Sequence, residues 1–335
     1  MKGKVILITG GTGSFGKAFA QFASDRGASE VRILSRDESK QDDLRRDPTL
    51  GSCKFFIGDV RDPEGLSDAT KNTDYVFHAA ALKQVPSCEF FPLQACKTNI
   101  FGTQNVLSAC LKNDVESFVL LSTDKAVYPV NAMGLSKAMA ERLVSAQARM
   151  NKNSGSILRI STTRYGNVLG SRGSIVPKVI ELLKKGHRIP VTHESMTRYI
   201  MSLEESVELV ATALEYGRHG EIFVKKVPAA RVLDLIQAVA ELMSIDLDLD
   251  IIGIREGEKL SETLITREEW PRVSEFSEHW EISPEDSNLD YSQYFDRGRE
   301  IQGGGSEISS STVRQLSVAE IKQKLLATRY VRELL

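Results

Sequence analysis

Residues 5 to 16 read VILITGGTGSFG, an aliphatic and β-branched run that ends in glycines at 10, 13 and 16. A chain with this opening has few choices of fold. The apolar run is short enough for a buried strand, and the glycines take it through a tight turn directly into a helix. In that context Gly10 permits the turn, Gly13 lets a pyrophosphate approach the backbone, and Gly16 lets the helix pack closely on the strand. The helix start then offers amides and the positive end of a dipole to an anion. A glycine-rich turn without a ligand is the plain alternative, and the strand, turn and helix in sequence argue against it.

Further short runs alternate with amphipathic helical patterns: VRIL at 31–34, KFFIG at 54–58, YVFHA at 75–79, SFVLLS at 117–122 and SILRIS at 156–161. This alternation predicts an α/β protein, a Rossmann-type doubly wound parallel sheet with ligands beyond the carboxyl ends of its strands. After about residue 165 the alternation loosens, and helices over 174–185 and 202–216 are separated by irregular segments. Ser202 to Glu205 reads SLEE, a capping box that marks a helix start. Three regions follow: 1–165 for the dinucleotide, 166–283 as a smaller substrate-binding region and lid, and 284–335 as a C-terminal extension with a possible part in oligomerisation. Residues 284–312 are polar and contain Gly303-Gly304-Gly305, which predicts a loop or extended excursion before a final helix from Ser317 to about Arg332.

Composition narrows the partners. The 335 residues are 41% hydrophobic and 26% charged with a net charge of -2, values of a soluble globular protein with no basic stripe for nucleic acid. Cys53, Cys88, Cys96 and Cys110 form no CxxC pair and read as buried reduced thiols. His78, His187, His193, His219 and His279 are scattered, so no metal site is expected. The chain enters its first strand at once, with no room for a signal sequence and no apolar run of membrane-spanning length. The expectation is a cytoplasmic protein without a membrane partner.

The nucleotide form depends on the end of the second strand. An NAD enzyme places an acid there against the ribose hydroxyls, whereas this chain has Ser35-Arg36 followed by Lys40. A hydroxyl and a guanidinium suit a ribose phosphate, so NADP is favoured over NAD, with Asp37 as the counter-argument. Thr12, Ser14 and Phe15 complete the glycine turn. Asp59-Val60 at the end of the third strand is placed for the adenine edge, and Ala79-Ala80-Ala81 after the fourth lets backbone approach the cofactor.

Residues Ser122 to Lys137 read STDKAVYPVNAMGLSK and nearly spell a dehydrogenase signature. A tyrosine belongs four residues before Lys137, on the same helix face, where the amine would lower the phenol pKa. Met133 stands there instead. Just upstream is Thr123-Asp124-Lys125, an acid beside an amine. Lys125 can be a base only if its pKa falls: burial and Lys137 favour that, Asp124 opposes it, and the sequence leaves the balance open.

With these motifs in order, the chain resembles the extended short-chain dehydrogenase/reductase superfamily over essentially its whole length. The segments AALKQVPSCEFFP (80–92), TNIFGT (98–103), TRYGNVLGSRGSIVP (163–177), MTRYIMSLEE (196–205) and GEKLSETL (257–264) narrow the likeness further. They are similar to bacterial UDP-N-acetylglucosamine 4,6-dehydratases that invert carbon 5, in particular the capsule and O-antigen type, in which methionine also replaces the tyrosine. The resemblance implies NADP as the hydride carrier, Asp124 as acid, Lys125 as the base at carbon 5, and Lys137 on the nicotinamide ribose. It adds Asn99 and Tyr165 to the cofactor set, with Tyr165 also a rival base and Tyr128 a weaker one. Lys83 is implied at the sugar, and Asn167, Ser174, Arg198 and Glu258 at the UDP portion. Homo-oligomers, dimer or hexamer, are implied too. Other activities stay open: a configuration-retaining dehydratase, a UDP-sugar 4-epimerase, and an inactive NADP sensor or scaffold.

Overall fold

The computed structural model describes residues 1–171, 173–285 and 305–335. Strands β1 (Val5–Thr9), β2 (Glu30–Ser35), β3 (Lys54–Ile57), β4 (Tyr75–His78), β5 (Ser117–Leu121) and β6 (Arg159–Arg164) run parallel in the order β3-β2-β1-β4-β5-β6. The order reverses between β1 and β4, where a doubly wound sheet opens a crevice beyond its carboxyl edge. Residues 156–161 predict β6 too early. Gly155 at φ 70 ends the preceding helix and Ile157 is exposed, so the strand begins where the Arg159 amide meets the Glu116 carbonyl.

The sheet does not stop at residue 165. Beyond the small strands β7 (Ile189–Val191) and β8 (Thr197–Tyr199), β9 (His219–Lys225) joins β6 in parallel. The short β10 (Ala229–Arg231) pairs with β8, and β11 (Leu249–Ile251) with β7. After β12 (Thr263–Ile265), β13 (Val273–Glu275) and β14 (His279–Ile282) add antiparallel strands to the edge and bring the main sheet to nine among the described residues. Residues 166–283 therefore supply both an outer piece and three strands of the central sheet.

One face of the sheet buries Ile6, Ile8, Phe77 and Val119 against the helices Ser14–Asp25 and Leu203–Tyr216. The other buries Leu7, Val76, Phe118 and Leu120 against Gly102–Lys112 and Ala132–Ser154. Alternation of strand residues between two apolar layers is what a sheet covered on both faces requires. The Ser202 and Glu205 capping box forms as its spacing predicts.

The C-terminal stretch returns to its own chain. Its strand β15 (Ile308–Ser309) pairs with β12, Gln315 bridges to Ala229, and the helix Val318–Ala327 buries Ile321 and Leu325 against Leu235 and Val239. The expected single helix to Arg332 is two: Thr328 takes an extended ψ of 110, and a second helix runs from Arg329 to Leu334. Most of the polar stretch expected as a loop, 286–304, lies outside the described residues.

One buried ion cluster joins these parts. The Arg164 guanidinium at the end of β6 meets Glu141 of the helix Ala132–Ser154 at 2.6 Å and Glu269 at 2.9 Å, and donates to the Leu264 carbonyl of β12 at 2.8 Å. Removing one charge from such a group strands the others. Arg164→Met should lower unfolding stability by about 3–5 kcal/mol, read as a fall in the denaturant midpoint.

Candidate active site

The site is built where β1, β4, β5 and β6 end. Gly10 sits at φ 70, and a Cβ there would lie 2.8 Å from the Ala80 backbone, so the turn holds only glycine. A Cβ on Gly16 would lie 2.4 Å from the Gly11 Cα, which fixes how closely the first helix packs. Gly13 is the N-cap and gives no side-chain hydrogen bond to the helix amides. A glycine-lined crevice at a helix start whose N-cap has no side chain to fill it, facing the half-buried Ala79, Ala80 and Ala81, fits the diphosphate of a dinucleotide. Thr12 Oγ1 and Ser35 Oγ, 2.9 Å apart, tie the turn to the end of β2.

Beyond β2, Arg36 is half exposed and lies 3.4 Å from Asp59. The Asp59 carboxylate, despite partial burial, is held below its usual range by Arg61 at 2.6 Å and by Arg36. Lys40 pairs with Asp37, which also accepts from the Lys40 amide to cap the next helix. Asp37 thus engages the cation expected beside Arg36. A cavity of about 250 Å³ opens here, lined by Arg36, Arg61, Leu82, Phe91 and Thr98. Val60 is buried beneath Gly102, so it shapes the floor of this region from inside.

Asn99 lies on a one-turn π-helix, Cys96–Phe101, and is buried. It exchanges two hydrogen bonds with the Leu82 backbone, at 2.8 and 2.9 Å, and reaches Ser136 Oγ at 2.9 Å. Its amide therefore pins the loop after β4 to the helix that carries Lys137. Lys137 donates to the Leu121 carbonyl at the end of β5 at 2.7 Å, and burial lowers its pKa to about 8 against the pull of Glu141. Burial, helped by Lys137, lowers His78 to about 3, leaving a neutral ring between the Thr9 and Thr103 hydroxyls. Met133 is buried and packs against Cys88 and Ala95.

Asp124 is fully buried on a short 3-10 turn after β5. Its amide bonds to the Tyr165 carbonyl, extending the β5–β6 ladder past the strand ends. Thr123 Oγ1 donates to Asp124 Oδ1 at 2.9 Å and Lys125 Nζ does so at 3.0 Å, while Oδ2 has no hydrogen-bond partner among the described residues. Burial raises the Asp124 pKa, Glu262 adds to this, and Lys125 opposes it. A Cβ on Gly134 would lie 2.3 Å from the Lys125 carbonyl, so the helix can seat on this turn only with glycine there.

Lys125 answers the question its neighbours left open. Its ammonium lies 3.0 Å from Asp124 and 3.3 Å from Glu262, and although burial lowers its pKa, the two carboxylates win and raise it. Lys125 is held as an ammonium. Asp124 is the opposing anion that adjacency in sequence reveals; Glu262, which stands within GEKLSETL immediately before the buried strand β12, is a second that only the fold brings near. The three tyrosines of this region are poor bases in this state. Tyr165 stacks on Phe15 at 5.6 Å and is raised by burial and Asp124, Tyr199 is raised by burial, and Tyr128 donates to Glu268 from a residue at φ 44.

The expected substrate residues divide. Asn167 Oδ1 and Ser174 Oγ are buried without a hydrogen-bond partner among the described residues, on either side of a loop where Gly173 meets Gln84. Two orphaned polar atoms beside a crevice are what a polar ligand would satisfy. Lys83 is exposed on the adjoining loop. Glu258 accepts from Thr192 at 3.1 Å and pairs with Arg255. Arg198, expected at a diphosphate, turns inward: it donates to the carbonyls of Thr197 and Lys259 at 2.7 and 3.0 Å and lies 3.8 Å from Glu262. It braces the segment that carries Glu262.

Known proteins share this fold. The fold aligns with Pen from Bacillus thuringiensis at a TM-score of 0.88, 32% identity and 98% of both chains. A dTDP-glucose 4,6-dehydratase of Streptomyces venezuelae, DesIV, solved with NAD and TYD bound, shares the fold alone. It aligns at a TM-score of 0.68 and 22% identity over 76% of this chain and 86% of DesIV. In sequence, a UDP-glucose 4-epimerase of Rickettsia canadensis is 45% identical over 98% of this chain and 97% of its own. Residues 6–284 match the polysaccharide biosynthesis protein family, and 286–332 match the family's C-terminal model. By these matches the chain belongs to the polysaccharide biosynthesis protein family.

Proposed function

We propose that this protein is an NADP-dependent 4,6-dehydratase of UDP-N-acetylglucosamine that inverts carbon 5 and feeds surface-polysaccharide synthesis. The observation that carries this reading is the pairing of the buried Asp124 with the partly exposed Lys125 at the end of β5, with one carboxylate oxygen left without a hydrogen-bond partner among the described residues. Removing water across carbons 5 and 6 needs an acid and a base; moving a hydroxyl at carbon 4 needs one proton acceptor and a turned sugar. Asp124 and Lys125 supply the fuller set.

A nicotinamide dinucleotide bound on the β1 turn supplies reversible hydride transfer. Lys137, fixed by the Leu121 carbonyl, holds the nicotinamide ribose. Met133 has no proton to exchange, so Asp124 accepts the proton of the carbon 4 hydroxyl, its raised pKa suiting it to keep that proton. The same proton assists departure of the carbon 6 hydroxyl. Once Asp124 is neutral, Lys125 has lost its nearer anion. The amine then sheds a proton to water at its partly exposed edge and takes the carbon 5 proton; after water has left and the hydride has been returned to carbon 6, carbon 5 gains a solvent-exchanged proton on the opposite face. Asn167, Ser174 and Glu258 hold the UDP portion, and Lys83 the sugar.

A second reading, UDP-sugar 4-epimerase, is favoured by the name of the Rickettsia canadensis relative at 45% identity. Incubation with UDP-N-acetylglucosamine and NADP in deuterated water separates the two. A 4-keto sugar with a new methyl group, deuterium at carbon 5 and inverted configuration is expected, and a 4-epimer without exchange at carbon 5 would replace this reading. Asp124→Asn should lower formation of reduced nicotinamide by about 100-fold or more, because oxidation at carbon 4 uses the same carboxyl. Undiminished reduction would remove Asp124 from that step. NADP is favoured by Arg36, the half-exposed cation at the end of β2. Arg36→Ala should weaken NADP binding by roughly tenfold or more and leave NAD binding little changed, measured by calorimetry.

A further inference from the structure

Glu262 is a buried carboxylate that touches the proposed chemistry without forming part of the Thr123-Asp124-Lys125 turn. We infer that Glu262 is a positioning residue: its carboxylate, 3.3 Å from the Lys125 amine, holds that group charged and aimed until Asp124 has taken a proton. The inference rests on the reading of Lys125 as the group that acts at carbon 5.

The backbone of Glu262 is held by hydrogen bonds, and its carboxylate by Lys259 at 2.9 Å as well as by Lys125. Its amide donates to Ser310 Oγ at 2.9 Å, and the Ser310 amide donates to the Glu262 carbonyl at 2.7 Å. Ser310 is in turn held by Thr197 Oγ1 at 2.8 Å. The C-terminal stretch, expected to serve oligomerisation, thus clamps the backbone of a residue in the active site. The segment before Glu262 is anchored separately, with Gly257 accepting from Asn131 at 2.8 Å and Lys259 donating to the Val127 carbonyl at 2.9 Å. A carboxylate delivered by two independent anchors to an amine it contacts at 3.3 Å is an arranged partner.

The charges around it explain why it stays ionised. Burial favours the neutral acid, but Lys125, Arg198 and Lys259 outweigh burial and hold its pKa below the usual range. Lys125 faces Asp124 on its own turn, Glu262 before β12 and the Arg198 guanidinium of β8. Tyr165 and Tyr199, which feel Asp124, are held neutral by burial. When Asp124 becomes neutral during oxidation, Glu262 is the one remaining anion among those that raise Lys125. It sets how readily the amine then gives up its proton.

The test reads the amine directly. Trace acetylation of the full chain with acetic anhydride across pH, followed by mass spectrometry of the Lys125 peptide, gives the titration midpoint of that amine. In Glu262→Gln the midpoint should fall by roughly one pH unit or more, because one of two raising anions is gone. Glu262→Asp keeps the charge at greater distance and should fall less. It also keeps the measurement available should the glutamine variant fold poorly. Deuterium wash-in at carbon 5 should then begin at correspondingly lower pH in Glu262→Gln. An unchanged Lys125 midpoint in Glu262→Gln overturns the inference. A shifted midpoint with an unshifted wash-in profile supports the hold of Glu262 on the amine and instead overturns the role of Lys125 at carbon 5.

Discussion

The buried Arg164 cluster is the constraint on which the rest of this site depends. Three segments far apart in sequence, the end of β6, the helix Ala132–Ser154 and the stretch 264–269, meet at one guanidinium. Charges taken out of water at this depth tolerate little misplacement, because a partner that moves away leaves an uncompensated ion. Glu141 also accepts from Ser122, the residue just before the Thr123-Asp124-Lys125 turn. The ion cluster therefore fixes the turn from behind, and sets β12 at the distance that lets Glu262 reach Lys125.

The chemistry of the turn follows from what surrounds it. Asp124 and Lys125 are adjacent in sequence, and adjacency alone predicts that each stabilises the charge of the other. Full burial of the carboxyl works against its ionisation, and a second carboxylate 3.3 Å from the amine changes the balance again. Asp124 ends with a raised pKa and Lys125 is held as an ammonium. The same geometry explains Met133. With Cys88 and Ala95 packed around it, this position is part of a small apolar cluster.

Much of the architecture was legible locally. Gly10 and Gly16 were readable because a turn with positive φ and a close helix contact each tolerate only glycine. Five of the strands lie within a residue or so of their apolar runs, since a strand covered on both faces must be apolar on both. β6 was placed too early because Ile157 looks like core and is not. Arg198, expected at the diphosphate, donates here to the Thr197 and Lys259 carbonyls, contacts that no local spacing in the sequence announces. Gly134 gave a signal that could have been used, since a glycine in the first turn of a long helix lowers helix propensity and asks for a packing reason. Its reason is the Lys125 carbonyl.

The sequence by itself determined the parallel sheet, the glycine turn and the presence of an acid-amine pair at the end of β5, because each is written in neighbouring residues with a period or spacing that backbone geometry enforces. Tertiary structure alone decided which carboxylate stands behind Lys125, which way Arg198 points, and that the C-terminal stretch clamps Glu262 through Ser310. Those outcomes depend on distances between segments tens of residues apart and on burial, and the energy of a charge varies with both.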